Sequence, residues 1–587
     1  MFSQVAVATP ANANRASDRT RIPGAVAYVA ICILACAAPF ELMQPLASLP
    51  WQQISNLEAL LLCAFICWLV SLAWSQQWTV WRTSLTAPWL ALIAVMAAAA
   101  ATAPAARANA LHMTGRIAAA LAIYVMAVNG ITTAGRLSRA IVTTVAAGVV
   151  VAALAILESL QLPAVLDWLK AFRPSISVVG AQLRAGGPLQ YPTIASMYLE
   201  VVFALGLGLL VASIDRKQNA RSLVVVGALV VIAEAIVLTF TRAGLLSMAV
   251  TVTMVSVWRV RSRGIDAAVR AIGAVAVLIV ASFAVSRPAQ SVWLRLTSEG
   301  QENWYRSAIE PPDDIHFAAG QTRQIPIRVT NTGRVTWDST DNPPFYFSYH
   351  WLEATADRVV AFEGARTAFA APVAPAETTT VRASVRAPNQ IGRYRIAWDV
   401  VQEGRLWFST EPGAIRTVSL ATVSGFSFGA RPPTTALPLP VERPGRWQLW
   451  SSALRLFAAH PVLGVGPDNF RLLYGPYAGL RNPDRRTHSN NMYLEMLVGS
   501  GLLGALVCGW LLWRIAALVA AGVHTATIDQ RKAASIGVAA AVIAIGLHGL
   551  VDSFLSFTPT YVLIALTLAF ADASGPRTTT GTHADRV

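Results

Sequence analysis

The feature that most narrows the fold is a series of apolar runs, each roughly 20 residues long, recurring along the 587-residue chain. A helix needs about that length to cross the hydrocarbon core of a bilayer, where every backbone polar group must be satisfied within the segment. Twelve runs qualify, centred near residues 33, 65, 95, 123, 149, 203, 231, 250, 276, 503, 542 and 564. With 55% hydrophobic and 13% charged residues, the chain is far more apolar than a soluble domain. The expected fold is a polytopic α-helical membrane protein of about 12 transmembrane helices. The five cysteines (Cys32, Cys36, Cys63, Cys67, Cys508) all fall inside apolar runs and lack the histidines of a metal site, so small packing residues are the reading.

The net charge of +15 sits as arginine and lysine between the runs, which suits orientation signals and argues against nucleic-acid binding. Arg15, Arg19 and Arg21 precede the first run, in a polar tail without the pattern of a cleavable signal. Arg136 with Arg139, Arg216 with Lys217 and Arg221, Arg259 with Arg261 and Arg263, and Arg531 with Lys532 fall on the same side if the count is even. Arg107 is the exception. Both termini are therefore expected to be cytoplasmic. Residues about 160–192, the turn Thr239–Ala243 and an insertion from about 287 to 488 then lie outside.

Within the insertion, alternating runs at Gln324–Asn331, Phe345–Leu352, Thr378–Arg386, Arg393–Val401 and Leu406–Ser409 are separated by Gly, Pro and Asn. They predict an inserted all-β domain at 318–423, of the immunoglobulin-like sandwich kind. Val329 to Trp337 resembles the strand–turn–Trp signature of immunoglobulin-like domains of bacterial surface proteins. A spacer and a glycan- or partner-binding module both remain open as its role. A Pro-rich linker, Arg431 to Pro440, leads back toward the membrane.

Three outward stretches carry charge. The first is Leu183-Arg184-Ala185-Gly186-Gly187-Pro188, the second Thr239-Phe240-Thr241-Arg242-Ala243-Gly244. The third runs from Arg446 to Trp513 and holds His460, Arg471, Arg481, Arg485, Arg486 and His488. An arginine costs up to ~3 kcal/mol when misplaced toward the bilayer centre, so at a boundary it has a partner or a task. A guanidinium matches phosphate oxygens with two parallel hydrogen bonds and stays charged, so two of them can clamp a diphosphate. The plainer role of Arg242 is a headgroup anchor. A free histidine titrates near neutrality, so His488 can take a proton from an attacking hydroxyl; its plainer role is that of an interfacial neighbour to a helix cap. Asn490 and Asn491 either hold sugar hydroxyls or cap the next helix. Tyr493 and Glu495 are placed to orient the imidazole. His548 and Asp552 are spaced to share one helix face, and Glu234 reads as an internal counter-ion.

An Arg-Ala-Gly turn between two spans precedes a large external loop closing in His460-Pro461-Val462-Leu463-Gly464-Val465-Gly466-Pro467-Asp468-Asn469-Phe470. Thr487-His488-Ser489-Asn490-Asn491-Met492-Tyr493-Leu494-Glu495 follows, then Gly499-Ser500-Gly501-Leu502-Leu503-Gly504 in the next span. This order resembles the superfamily of O-antigen ligases and O-antigen polymerases over residues 180–290 and 443–570. The resemblance implies a glycosyltransferase that moves a glycan from an undecaprenyl diphosphate carrier to an acceptor hydroxyl at the periplasmic face of the bacterial inner membrane, without metal or cofactor and with inversion. It places Arg184, Arg242 and His488 in catalysis; Arg471, Tyr474, His460, Asn490, Asn491 and Tyr493 are the candidates for substrate binding. The acceptor is a glycan, a lipid or a protein. The loop at Arg184 only approximates the family's Gly-x-x-x-x-Pro-Asn pattern, and the β insertion departs from a family whose external loop is helical. A polymerase of the same superfamily and a polysaccharide transporter or flippase are the alternatives.

The expected organisation is a cytoplasmic tail at 1–24, spans one to nine at 25–290, a connector at 291–317 and the periplasmic β domain at 318–423. A linker with an interfacial helix and loop follows at 424–488, then spans ten to twelve at 489–574 and a cytoplasmic tail at 575–587. In the interfacial helix, Trp447, Trp450, Leu454 and Phe457 fall on or near one stripe.

Overall fold

The computed structural model describes residues 10–49, 52–76, 83–173, 177–179, 182–269, 273, 275–277, 280, 304–341, 343–356, 358–404, 406–411, 414–427, 435–436, 444–480, 482–525 and 529–575. Most of the run near 276, Arg481, most of the Pro-rich linker, residues 291–303 of the connector and the far ends of both tails lie outside the described residues.

The helical body comprises α1 (Pro10–Ala37), α2 (Asn56–Ser75), α3 (Thr86–Ala101), α4 (Arg107–Gly130), α5 (Ala134–Ser159), the short α6 (Pro163–Leu169), α7 (Pro192–Asp215), α8 (Asn219–Leu238), α9 (Arg242–Arg263) and α10 (Ile265–Ala268). After the β region come α11 (Arg446–Ala459), α12 (Phe470–Ala478), α13 (Met492–Thr525), α14 (Asp529–His548) and α15 (Thr558–Ser574). Among the described residues seven helices are long and apolar enough to cross a membrane: α2, α4, α5, α7, α8, α9 and α13. Apolar segments of 10–17 residues lie in α1, α3, α14 and α15. Helix ends have local causes. Ser55 caps α2 and completes a reciprocal capping box with Glu58, and Thr133 caps α5 through the backbone N–H of Arg136.

At the centre stands α7, buried along nearly its whole length. It meets α14 at Gly208 and Gly537, where a Cβ on Gly208 would lie 2.8 Å from the Ala533 carbonyl and 3.0 Å from the Gly537 Cα. Two backbones in that contact leave no room for side chains, the usual device of packing helices inside a membrane.

Successive helices run up and down, so their connections gather at two ends. At one end the α1–α2 connection, with its hairpin β1 (Ala47–Leu49) and β2 (Gln52–Ile54), meets the α5–α7 connection, where the Met43 N–H donates to the Ala171 carbonyl. The latter carries the hairpin β3 (Ser177–Val179) and β4 (Gln182–Arg184). The α8–α9 turn, the α14–α15 loop and residues 444–491 join them there through the hydrogen bonds described below. The opposite end collects Arg136 against the Gly24 and Gly130 carbonyls and Arg259 in a bidentate pair with Asp215.

The β region is built separately. Its larger sheet runs β15 (Thr435–Ala436), β9 (Arg358–Ala361), β8 (Phe345–Glu353), β12 (Gly392–Gln402), β14 (Thr417–Ser424) and β6 (Asp314–Ala318), with β10 (Thr367–Ala368) beside β8 and β13 (Leu406–Trp407) beside β12. The smaller sheet runs β11 (Thr378–Arg386), β7 (Thr322–Asn331) and β5 (Ser307–Glu310). Alternate residues of both close on one core that includes Ile327, Val329, Trp337, Phe347, Trp351, Ile396 and Trp398. This core also holds Trp304 and Tyr305, and β6 pairs in parallel with β14. The β region therefore begins about a dozen residues before the expected start at 318.

Candidate active site

The Gly-rich motif from His460 to Phe470 acquires a mechanical meaning from α13. That helix is interrupted at Gly501, whose φ of +64° and ψ of −164° break the helical ladder. The 461–466 loop fills the break. Val465 and Gly466 donate to the carbonyls of Val498 and Gly499 at 3.0 Å each, and Leu502 donates to the Pro461 carbonyl at 2.8 Å. A Cβ on Gly464, itself at φ +71°, would lie 2.3 Å from the Val498 carbonyl oxygen, and one on Gly501 would lie 2.2 Å from that of Val462. Only glycine fits at either. Asn469 then ties the loop to the α3–α4 turn, donating to the Ala105 carbonyl at 3.0 Å and to that of Val465 at 2.9 Å.

This seat presents Asp468, at φ +63°, to one side of His488. His488 Nδ1 lies 3.7 Å from Asp468 Oδ1 and 3.5 Å from Glu495 Oε1. Both are charge contacts rather than aligned hydrogen bonds. Glu495 is held in place by the Ser489 N–H at 2.6 Å, and the Ser489 carbonyl by Trp450 Nε1 at 3.0 Å. Burial pushes the imidazole pKa down, but Glu495 and then Asp468 outweigh it, and His488 ends above the ordinary histidine value despite nearby Arg471. The carboxylates make it a more avid proton acceptor.

His488 opens on a cavity of about 640 Å³ lined also by Glu41, Arg116, Gln190, Tyr191, Asp468, Arg471, Arg486, Ser556 and Phe557. It adjoins a second of about 900 Å³ that shares Glu41, Arg116, Gln190, Tyr191 and Arg486 and adds Glu58 and His112.

Arg184 and Arg242 converge on one turn. Arg184 Nε donates to the Thr239 carbonyl at 2.9 Å and its Nη2 to Thr241 Oγ1 at 3.2 Å, while the next residue, Ala185, donates its N–H to the Leu238 carbonyl. Arg242 opens α9 directly after that turn, with an exposed side chain. Beneath the Arg184 loop, the backbone N–H groups of Gly186 and Gly187 donate to Glu158 Oε2 at 2.9 and 2.8 Å, and Arg173 grips the other carboxylate oxygen. Glu158 and Arg173 are both buried. A further buried group backs α9: the Glu200 carboxylate lies 3.0 Å from His548 Nδ1 and takes the Ser196 hydroxyl at 2.6 Å. A Cβ on Gly244 would sit 2.1 Å from Ser196 Oγ, so α9 starts hard against this network.

The remaining predicted residues divide by environment. Arg471 lines the cavity but spends its guanidinium on Asp468, Asn109 and the Arg485 carbonyl. Tyr474 is fully buried, stacked on Phe470, with its hydroxyl on the Asp484 carbonyl. His460 terminates α11, and the structure does not bring it to the cavity. Asn491 caps α13 through the N–H groups of Tyr493 and Leu494 and reaches the Leu550 carbonyl. Tyr493 donates to the Gly546 carbonyl, and Asn490 holds a left-handed φ of +53°. Trp447 and Leu454 are exposed on α11, Trp450 and Phe457 half-buried, and Glu234 half-buried within α8. His548 ends α14, so Asp552 stands in the following turn, yet its Oδ2 still lies 3.9 Å from His548 Nε2.

Sequence reasoning missed Arg116, Glu41 and the Glu200 partner of His548. For Arg116 and Glu200 the signal was present, a charge inside an otherwise apolar run. Glu41 carries none, because it lies in a loop where acids are ordinary.

In a comparison with known families, residues 417–509 fit the O-antigen ligase family model. That span runs from β14 through α11, the seated loop and His488 into the first part of α13. A search of curated proteins finds no match.

Proposed function

From this chain's membership of the O-antigen ligase superfamily, we propose that it transfers a glycan from undecaprenyl diphosphate to an acceptor hydroxyl, with His488 as the proton acceptor. The observation that carries the reading is the His488 cavity: an imidazole buried between Asp468 and Glu495, opening on a space large enough for sugar, at the same end of the body as the Arg184–Arg242 turn. The protein is an integral membrane protein of the O-antigen ligase/polymerase type. The finer topology belongs to this proposal: twelve spans in the inner membrane, both termini cytoplasmic, and the β region a periplasmic immunoglobulin-like sandwich.

In the reaction, the acceptor hydroxyl oxygen forms a bond to the anomeric carbon as the bond from that carbon to the diphosphate oxygen breaks. The hydroxyl proton passes to His488, and the electron pair leaves with the diphosphate. One displacement inverts the anomeric centre. Arg242, at the N-terminal turn of α9, meets the charge growing on the leaving group. Arg184 holds the 239–241 turn and so fixes where Arg242 stands, and both guanidinium groups contribute positive potential. The exposed Trp447 and Leu454 give α11 an apolar stripe suited to lie in the membrane interface.

The charged residues of the proposed site gather at one end of the helices, which favours chemistry at a boundary over a transport path with charges at mid-bilayer. The test is the lipid-linked glycan profile of a deletion strain. Accumulated long chains on the carrier support ligation, accumulated single repeats support polymerisation, and an unchanged profile overturns both.

A further inference from the structure

The two cavities share a wall that the proposed displacement does not use. Arg116, on α4, is anchored by one hydrogen bond, Nη1 to the Ser556 carbonyl at 2.6 Å. Its Nε is buried without a hydrogen-bond partner, and it makes no ion pair among the described residues. Arg486 borders both cavities, is exposed, and likewise pairs with no carboxylate among the described residues. A buried donor left open at the edge of a polar cavity is costly unless a ligand completes it.

The same wall carries acceptors and a ring. Glu41, 8% exposed, takes the Thr558 hydroxyl at 2.6 Å and lines both cavities. Gln190 offers an amide, and Tyr191, edge-on to Phe557 at 5.7 Å, offers its exposed ring. Carboxylates, an amide and an aromatic face suit sugar hydroxyls and C–H groups. A diphosphate carries at least two negative charges and would face Glu41 in this wall and Glu58 in the second cavity. A single carboxylate carries half that charge or less, so it meets less of that repulsion beside two guanidinium groups, and it matches the planar fork of arginine.

We propose that Arg116 and Arg486 form a glycan subsite for a sugar ring bearing one carboxylate, adjacent to the hydroxyl that His488 receives. Arg116 holds the carboxylate, while Glu41 and Gln190 take ring hydroxyls. This assignment rests on the reading of His488 given above. It gives the first four helices a part in substrate choice, although they lie outside the segment that matches the family.

The test uses the full-length protein in lipid nanodiscs, with methyl glucuronide, methyl glucoside and inorganic pyrophosphate as probes and saturation-transfer NMR as the readout. Wild type should prefer the glucuronide by about tenfold, the worth of one hydrogen-bonded charge pair. Arg116→Gln should bring the glucuronide down to the glucoside while leaving pyrophosphate binding intact. Arg486→Gln, at an exposed side chain, should lose part of the preference and serves if Arg116→Gln does not fold. An unchanged preference in either folded variant overturns the subsite, as does wild type that binds both sugars alike. Pyrophosphate binding lost with Arg116→Gln would overturn it too, reassigning the cation to the donor. Pyrophosphate binding that survives Arg242→Gln defeats the diphosphate clamp instead and leaves the subsite standing.

Discussion

Two polar neighbourhoods share one end of the helical body, and they are built in opposite ways. At the Arg184–Arg242 turn nearly every polar group is engaged: Arg184 on Thr239 and Thr241, Gly186 and Gly187 on Glu158, and Glu158 on Arg173. Around His488 key groups are left open. His488 Nδ1 and Arg116 Nε are buried without hydrogen-bond partners, and the walls of the cavity carry both signs of charge. The first is a support that fixes positions, and the second is a space that something else must complete. Substitutions should separate the two, with chemistry lost on one side and stability on the other.

His488 gives the widest separation. His488→Ala should lower transfer about 10³-fold, in the range of a lost general base, while leaving thermal unfolding nearly unchanged. Single-turnover transfer from purified lipid-linked glycan measures the first, and a melting curve the second. Wild-type activity in the alanine variant would remove the histidine from the chemistry. Glu158→Gln is the mirror image. It leaves Arg173 buried without its counter-ion, and breaking such a pair costs about 3–5 kcal/mol. The melting temperature should fall sharply, and Arg242 should lose its fixed position with it. An unaltered melting curve would show that the Arg184 loop has no need of its buried pair.

Arg242→Lys should cost about 100-fold in transfer with the fold retained, because an ammonium keeps the charge but loses the bidentate geometry. Full transfer in this variant would sink the clamp. Glu495→Gln should act more gently. The carboxylate nearest His488 raises its pKa, and the neutral imidazole is the form that accepts a proton. Wild-type transfer should therefore rise with pH through an inflection above the ordinary histidine value. Without Glu495 the imidazole keeps its burial and only Asp468, so the inflection moves to lower pH. An inflection that stays put would mean that another group sets the profile.

Legibility from sequence follows the same division. Eleven of the twelve apolar runs appear as helices in the described residues because length and hydrophobicity are local properties. The strand at Thr378–Arg386 appears with the same bounds, its alternation being equally local. The motif glycines could be seen but not interpreted, since Gly464 and Gly501 make sense only when the loop lies in the gap of the helix. Tyr474 carries no mark in sequence that distinguishes a buried ring from a ligand-facing one. Arg116 and Glu41 were overlooked because their meeting depends on α4 packing beside the α14–α15 loop, a contact between residues more than 400 positions apart.

The smallest effect is expected from the β region, and it tests whether the open cavity is complete within the helical body. The core of the two sheets is drawn from residues 304–423 alone, and none of the residues lining the His488 cavity or the cavity beside it belongs to it. Replacing 304–427 by a short flexible linker should therefore retain transfer to a small soluble acceptor and leave the pH profile where it was. Any loss should appear as a raised KM for a large acceptor, the signature of a domain that presents or shields substrate rather than reacting with it. A fall in kcat with the small acceptor would instead place the β region at the site.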